Sequence, residues 1–219
     1  MKRLFSLLIT GTLIGLLVIF AFAQVPASFI RSNFIIGQTA AQIGSGLVLV
    51  EEHTASGTAE MDFTTCITST YDDYMLDFVS VVPATNATEL QMQVSTNGGS
   101  SYDTGSNYAW AAFRNSAGGT AIAGSNSDTS ITLTGNGGPT NSTTTGGIVG
   151  SVKFFSPQNG VFFPRLNGID GINDGGASPD ITVTTTASYK SSTAVNAFRF
   201  RFSSGNVASG TVRCYGLAK

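Results

Sequence analysis

The clearest alternation of apolar and polar positions lies near the C-terminal end, where Phe198, Phe200 and Phe202 interleave with Arg199 and Arg201. Successive side chains of an extended strand point to opposite faces. The run therefore predicts a strand with three phenylalanines in an apolar layer and two arginines facing water. Ser203-Ser204-Gly205-Asn206 reads as a turn, and residues 211–215 as the returning strand, stopped by Gly216. The same period recurs upstream. Residues 47–51 open the series, and Met61 and Phe63 alternate with Glu60 and Asp62 after a turn at Ser56-Gly57. Residues 71–82 are rich in aromatic and β-branched side chains and stop at Pro83. Leu90, Met92 and Val94 share a face opposite Gln91, Gln93 and Ser95, ahead of the tight-turn signal Asn97-Gly98-Gly99. Tyr108, Trp110 and Ala112 alternate with Ala109, Ala111 and Phe113, which predicts a strand covered on both sides.

Residues 148–155, 160–166 and the Thr-rich 181–187 complete the predicted strands. Residues 116–147 are polar and Gly-rich and read as loop, apart from a short strand at 130–133; residues 167–180 read as a second loop. About ten to twelve short strands with turns between them predict an all-β fold. It is an antiparallel β-sandwich, jelly-roll-like, over residues 46–219. No fixed period recurs, which disfavours a solenoid or propeller. Residues 24–45 show neither period cleanly and read as a linker.

The N-terminus changes the picture of where the protein works. Lys2 and Arg3 precede an uncharged apolar run over residues 4–23 that ends in Ala21-Phe22-Ala23. A basic start, an apolar stretch and a small-x-small site read as a secretory signal peptide. The rival is a hydrophobic helix retained as a membrane anchor, since about 20 apolar residues can span a bilayer. Only 11% of residues are charged and the net charge is −2. That leaves no clustered basic footprint for nucleic acid. Cys66 and Cys214 are the two cysteines. An exported chain can oxidise them to a disulfide; the alternative is two buried thiols.

Candidate chemistry is sparse. His53 is the one histidine, without a GxSxG nucleophile elbow, and reads as an edge-of-strand polar residue. Asp72 and Asp73 are adjacent, so on a strand they face opposite ways and do not bracket one glycosidic bond. Asp170, Asn173 and Asp174 supply oxygens at close spacing in a Gly-rich segment, a Ca²⁺ candidate set. They lack EF-hand spacing, and the alternative is a solvated loop. Tyr102, Tyr108 and Trp110 are candidate platforms for a sugar face, against the alternative of core packing. No catalytic residue and no cofactor is expected.

The ending SSGNVASGTVRCYGLAK resembles one found in phage and prophage virion structural proteins of the tail-fibre kind. Three stretches agree with the same pattern: Tyr71-Asp72-Asp73-Tyr74 before an apolar strand, Val82-Pro83-Ala84-Thr85, and Val94-Ser95-Thr96-Asn97-Gly98-Gly99-Ser100. Together they span about residues 46–219. The resemblance implies a non-enzymatic β-sandwich displayed on a virion, a homo-oligomer among other virion subunits, in contact with host surface glycans. The apolar start departs from that pattern, because tail proteins assemble without export. The domain then belongs to an exported bacterial protein, to a virion with a membrane stage, or to a chain anchored through residues 4–23. The alternative function is a secreted or surface-anchored bacterial carbohydrate-binding protein.

Overall fold

The computed structural model describes residues 46–144, 146–175 and 180–218. The signal or anchor segment, the hydrophobic helix expected there and the linker to residue 45 lie outside the described residues. What is described is all-β: twelve strands, with no helix among the described residues.

In chain order the strands are β1 (Leu47–Thr58), β2 (Met61–Phe63), β3 (Asp73–Pro83), β4 (Leu90–Ser95), β5 (Tyr108–Ser116) and β6 (Gly119–Asp128). Then come β7 (Ile131–Thr132), β8 (Ile148–Phe155), β9 (Arg165–Asn173), β10 (Asp180–Tyr189), β11 (Ala197–Phe202) and β12 (Val207–Leu217). They form an eight-stranded sheet of order β1-β12-β3-β8-β9-β10-β5-β6 and a four-stranded sheet of order β2-β11-β4-β7. Every pairing is antiparallel.

The core follows from the alternation. Phe198, Phe200 and Phe202 of β11 are buried, as are Met61 and Phe63 of β2 and Leu90, Met92 and Val94 of β4. They meet Tyr74, Leu76 and Phe78 of β3 and Val152 and Phe154 of β8 in one apolar cluster. Phe63 stacks on Phe198 with ring centroids 4.9 Å apart, and Phe78 meets Phe200 edge-on at 5.1 Å across the two sheets. Such aromatic pairs add to the area they bury. Cys66, just after β2, is disulfide-bonded to Cys214 of β12, with Cα atoms 6.2 Å apart. The bond ties the small sheet to the large one.

Several expectations need correction. Residues 119–128, read as loop, are strand β6, one of the two edge strands of the large sheet. An edge strand pairs on one side only and presents most of its side chains to water, so Gly, Ser and Asn are tolerated there. Residues 167–173, also read as loop, belong to strand β9, with Leu166, Gly168, Asp170 and Ile172 alternating inward. Its glycines answer to crowding rather than to turns: a Cβ at Gly168 would lie 2.2 Å from Val152 Cγ1. Residues 160–164, read as strand, are loop. Phe113 on β5 is exposed, so that strand is covered on one side only. Arg199 and Arg201 are half-buried rather than free in water: Arg199 bonds Gln93 Oε1 through Nε (3.0 Å) and Nη2 (2.8 Å) and pairs with Glu60. The turn placed at Ser56-Gly57 lies inside β1, which Gly57 continues with a φ of 70°.

Candidate functional site

The side chains singled out in the sequence do not converge. Tyr108 and Trp110 point inward from β5. Tyr108 is fully buried; its hydroxyl accepts the Val94 N–H (3.0 Å) and donates to the Asp103 carbonyl (2.9 Å). Trp110 is 8% exposed and donates its indole N–H to Asp128 Oδ2 at 2.9 Å. Tyr102 lies on the outer side of the small sheet, under the Arg199 guanidinium, 4.4 Å from its ring centroid. Burial above all, with Asp62 and Glu60 nearby, holds the Tyr102 phenol above its usual range. Next to these, Asp103 accepts hydrogen bonds from Tyr189 Oη (2.7 Å), Asn107 Nδ2 (2.9 Å) and the Gly105 N–H (2.7 Å). Burial pulls the Asp103 pKa upward, but these three bonds outweigh it and hold the carboxyl below its usual range. The same arrangement pushes Tyr189 up to about 12, chiefly by burial and then by the bond to Asp103.

The three residues considered for Ca²⁺ have separate surroundings. Asp170 faces the interior, Asn173 donates to Asp180 Oδ1 at 3.1 Å, and Asp174 lies 3.8 Å from Arg114 Nη2. No metal-sized cluster of His, Cys, Asp and Glu occurs among the described residues. His53 is held by Glu51, with Nε2 2.8 Å from Oε1, and packs edge-on against Phe63 at 4.6 Å. Asp73 accepts the Ser156 N–H at 3.1 Å and pairs with Lys153 at 3.1 Å.

The structure assembles a different site, on the outer face of the large sheet. Antiparallel register sets Phe155 beside Arg165 and Ser188, and Lys153 beside Asn167 and Thr186. A parallel row runs Ser151, Ile169, Thr184, Phe113 and Ile122 across five strands. Ile169, Phe113 and Ile122 are all exposed. At the Phe155 end, the 156–164 loop rises over this face. It carries Val161, Phe162 and Phe163 at 76%, 68% and 49% exposure. Loop and sheet enclose a groove of about 670 Å³ lined by Phe155, Ser156, Val161, Phe162, Phe163, Arg165, Leu166, Asn167 and Thr186. A shallower depression of about 280 Å³ continues it past Phe163, Arg165 and Thr186 to Ala109, Ala111 and Asn126.

The loop is held in place by its backbone. Asn159 Oδ1 accepts the N–H groups of Val161 (2.8 Å) and Phe162 (3.3 Å). The Pro157 carbonyl accepts the Val195 N–H (2.8 Å), and the Pro164 carbonyl accepts the Tyr189 N–H (3.0 Å). Ser156 sits at a φ of 47°, a left-handed conformation that a non-Gly residue adopts at some energetic cost. The Asp73 bond to its N–H helps to hold it there. The three exposed apolar side chains are therefore presented by a fixed loop.

Charge at the groove is simple. Lys153 is compensated by Asp73 and lies 4.5 Å from the Phe155 ring centroid. The Arg165 side chain makes no hydrogen bond or ion pair among the described residues. Sequence reasoning missed this site because Val161-Phe162-Phe163-Pro164 was read as strand. Three consecutive apolar residues do not alternate, and a proline follows them. That was the available signal.

No family model and no curated protein matches the chain. Among solved structures, it is similar to an aerolysin-like protein of Bombina maxima at 12% identity, over 71% of this chain and 88% of that one, with a TM-score of 0.12. A likeness at that level carries no argument about fold or function.

Proposed function

We propose that the domain is a jelly-roll sandwich serving as a non-enzymatic attachment protein on the surface of a virion. The strand order supports the jelly-roll reading. With β5–β6 and β9–β10 set aside as two added hairpins, eight strands remain, ordered β1-β12-β3-β8 and β2-β11-β4-β7. That is the order of two interlocked Greek keys. The added hairpins extend one sheet past β8, and the outer face of that extension carries the groove.

The observation that carries the functional reading is this preformed groove, with exposed aromatic side chains on a fixed loop. Exposed apolar patches on a rigid scaffold mark interaction sites. The groove lining offers apolar faces, amide and hydroxyl groups and the Arg165 guanidinium, which suit contact with a ligand. Oligomerisation with other copies of the chain belongs to the same reading. The test is negative-stain imaging of purified particles labelled with antibody to this chain. Labelled particles are expected; particles that stay bare would end the proposal.

The groove also supports the alternative of a secreted or surface-anchored bacterial carbohydrate-binding protein. Fractionation separates the two readings: that protein sediments with cell envelopes or stays in the medium, free of particles.

A further inference from the structure

We propose that the groove between the 156–164 loop and the outer face of β8–β10 binds a carboxylate-bearing oligosaccharide. Its sugar rings lie against Phe162 and Phe163, and its carboxylate pairs with Arg165. The inference rests on the attachment reading and names its ligand class.

Four observations converge on that class. The volume of about 670 Å³ falls in the range of small-molecule sites. Phenylalanine rings at 68% and 49% exposure offer flat apolar faces already paid for in the free protein, which suit the C–H face of a sugar. Asn167, Thr186 and Ser156 line the same groove with neutral donors and acceptors, which suit hydroxyl groups. Arg165 has a guanidinium without a partner among the described residues, and its fork matches a carboxylate bidentately.

Shape decides between this ligand and an acyl chain. A chain gains its binding energy by leaving water on all sides, whereas this groove is open along its length. It also continues past Arg165 into the second depression, toward Ala111 on β5. From β8 to β5 is three strand spacings, about 14 Å. That length suits a short chain of sugars rather than a single ring.

The experiment is calorimetric titration of the full-length chain with tetragalacturonate and with sialyllactose, two sources of a sugar carboxylate. Methyl-esterified tetragalacturonate and lactose are their uncharged counterparts, and oleate is the acyl control. Arg165→Gln and Phe162→Ser/Phe163→Ser alter exposed side chains only, and circular dichroism checks that both keep the wild-type spectrum. The expected result is binding of at least one acidic probe. It should weaken about tenfold or more in either variant and in the uncharged counterpart, the scale of a lost charge-assisted hydrogen bond. The proposal is overturned if neither acidic probe binds, if the variants bind as the wild type does, if the uncharged counterparts bind equally well, or if oleate alone binds. Particle labelling reads separately: labelled particles without sugar binding remove this inference alone, and sugar binding with bare particles removes only the virion reading.

Discussion

Asp170 is the sharpest place to test the physical account of this fold. It projects inward from β9, where β8 opposes it with Gly150 and β10 with Val183. The residue is 1% exposed, and neither carboxylate oxygen has a hydrogen-bond partner among the described residues. No charged group faces it from the paired positions. Burial alone pushes its pKa from 3.8 up to about 7. The folded protein thus keeps a proton on Asp170 up to about pH 7, while the unfolded chain releases it near pH 3.8. The stability contributed by the protonated group is fully present below pH 3.8 and is lost as pH rises through 7. Between those limits the loss is about 1.4 kcal/mol per pH unit, or roughly 4 kcal/mol in all. Asp170→Asn keeps the shape and removes the titration. Its buried amide carries its own penalty, about 1–3 kcal/mol, so the quantity to compare is the slope with pH rather than the absolute level. Urea unfolding of both proteins from pH 4 to pH 8.5, disulfide intact, gives the two curves. The wild type should lose several kcal/mol relative to the variant between pH 4 and pH 7, and nothing further above. Parallel curves across the window would show that Asp170 is solvated or partnered, and the argument from its burial would fail.

Reduction of Cys66–Cys214, or its replacement by two alanines, should lower stability by up to about 5 kcal/mol, the chain-entropy figure for a loop of 148 residues; the shift of the urea midpoint with and without reductant measures it. Phe200→Ala removes a fully buried ring that touches Phe63, Phe78 and Phe198, so a loss of about 3–5 kcal/mol is expected in the same assay. Gly138→Ala would set a methyl 1.7 Å from the Thr88 carbonyl oxygen, which only a backbone shift relieves; a lower melting temperature, equivalent to about 1–3 kcal/mol, should follow, with Gly46→Ala, where a methyl meets nothing within 4 Å, near neutral as the control. Acidification below the usual carboxylate range, through the depressed Asp103 pKa, should loosen the 102–107 loop, because its three hydrogen bonds to the carboxylate are a source of stability that is lost as pH falls; hydrogen exchange at Gly105 and Asn107, followed from about pH 5 downward, would read it.

Strands whose faces differ in polarity were legible in the sequence. β11, β4 and β2 each bury one side and show the other, so Phe198, Met92 and Phe63 stood out against Arg199, Gln93 and Asp62. β9 and β6 were not legible, for separate reasons. In β9 the inward positions are held by Gly168 and Asp170, a residue too small and a residue too polar to announce a core face. In β6 the strand buries almost nothing, so no pattern is needed to make it. The groove was hidden further. Phe155, Arg165 and Thr186 become neighbours only through the register of β8 on β9 and of β9 on β10, which local sequence does not encode. The exposed run Val161-Phe162-Phe163 was visible, yet its exposure depends on Asn159 capping two backbone N–H groups and turning the chain out of the sheet.

The bond between Cys66 and Cys214 has a consequence for how the domain fails when a protease finds it. Nearly every loop of the described fold lies between those two residues, the Phe162 loop included. A single nick in any of them leaves two pieces that remain one covalent molecule. They part only when a reductant and a protease act together, so cleavage under oxidising conditions can pass unseen on a gel run without thiol.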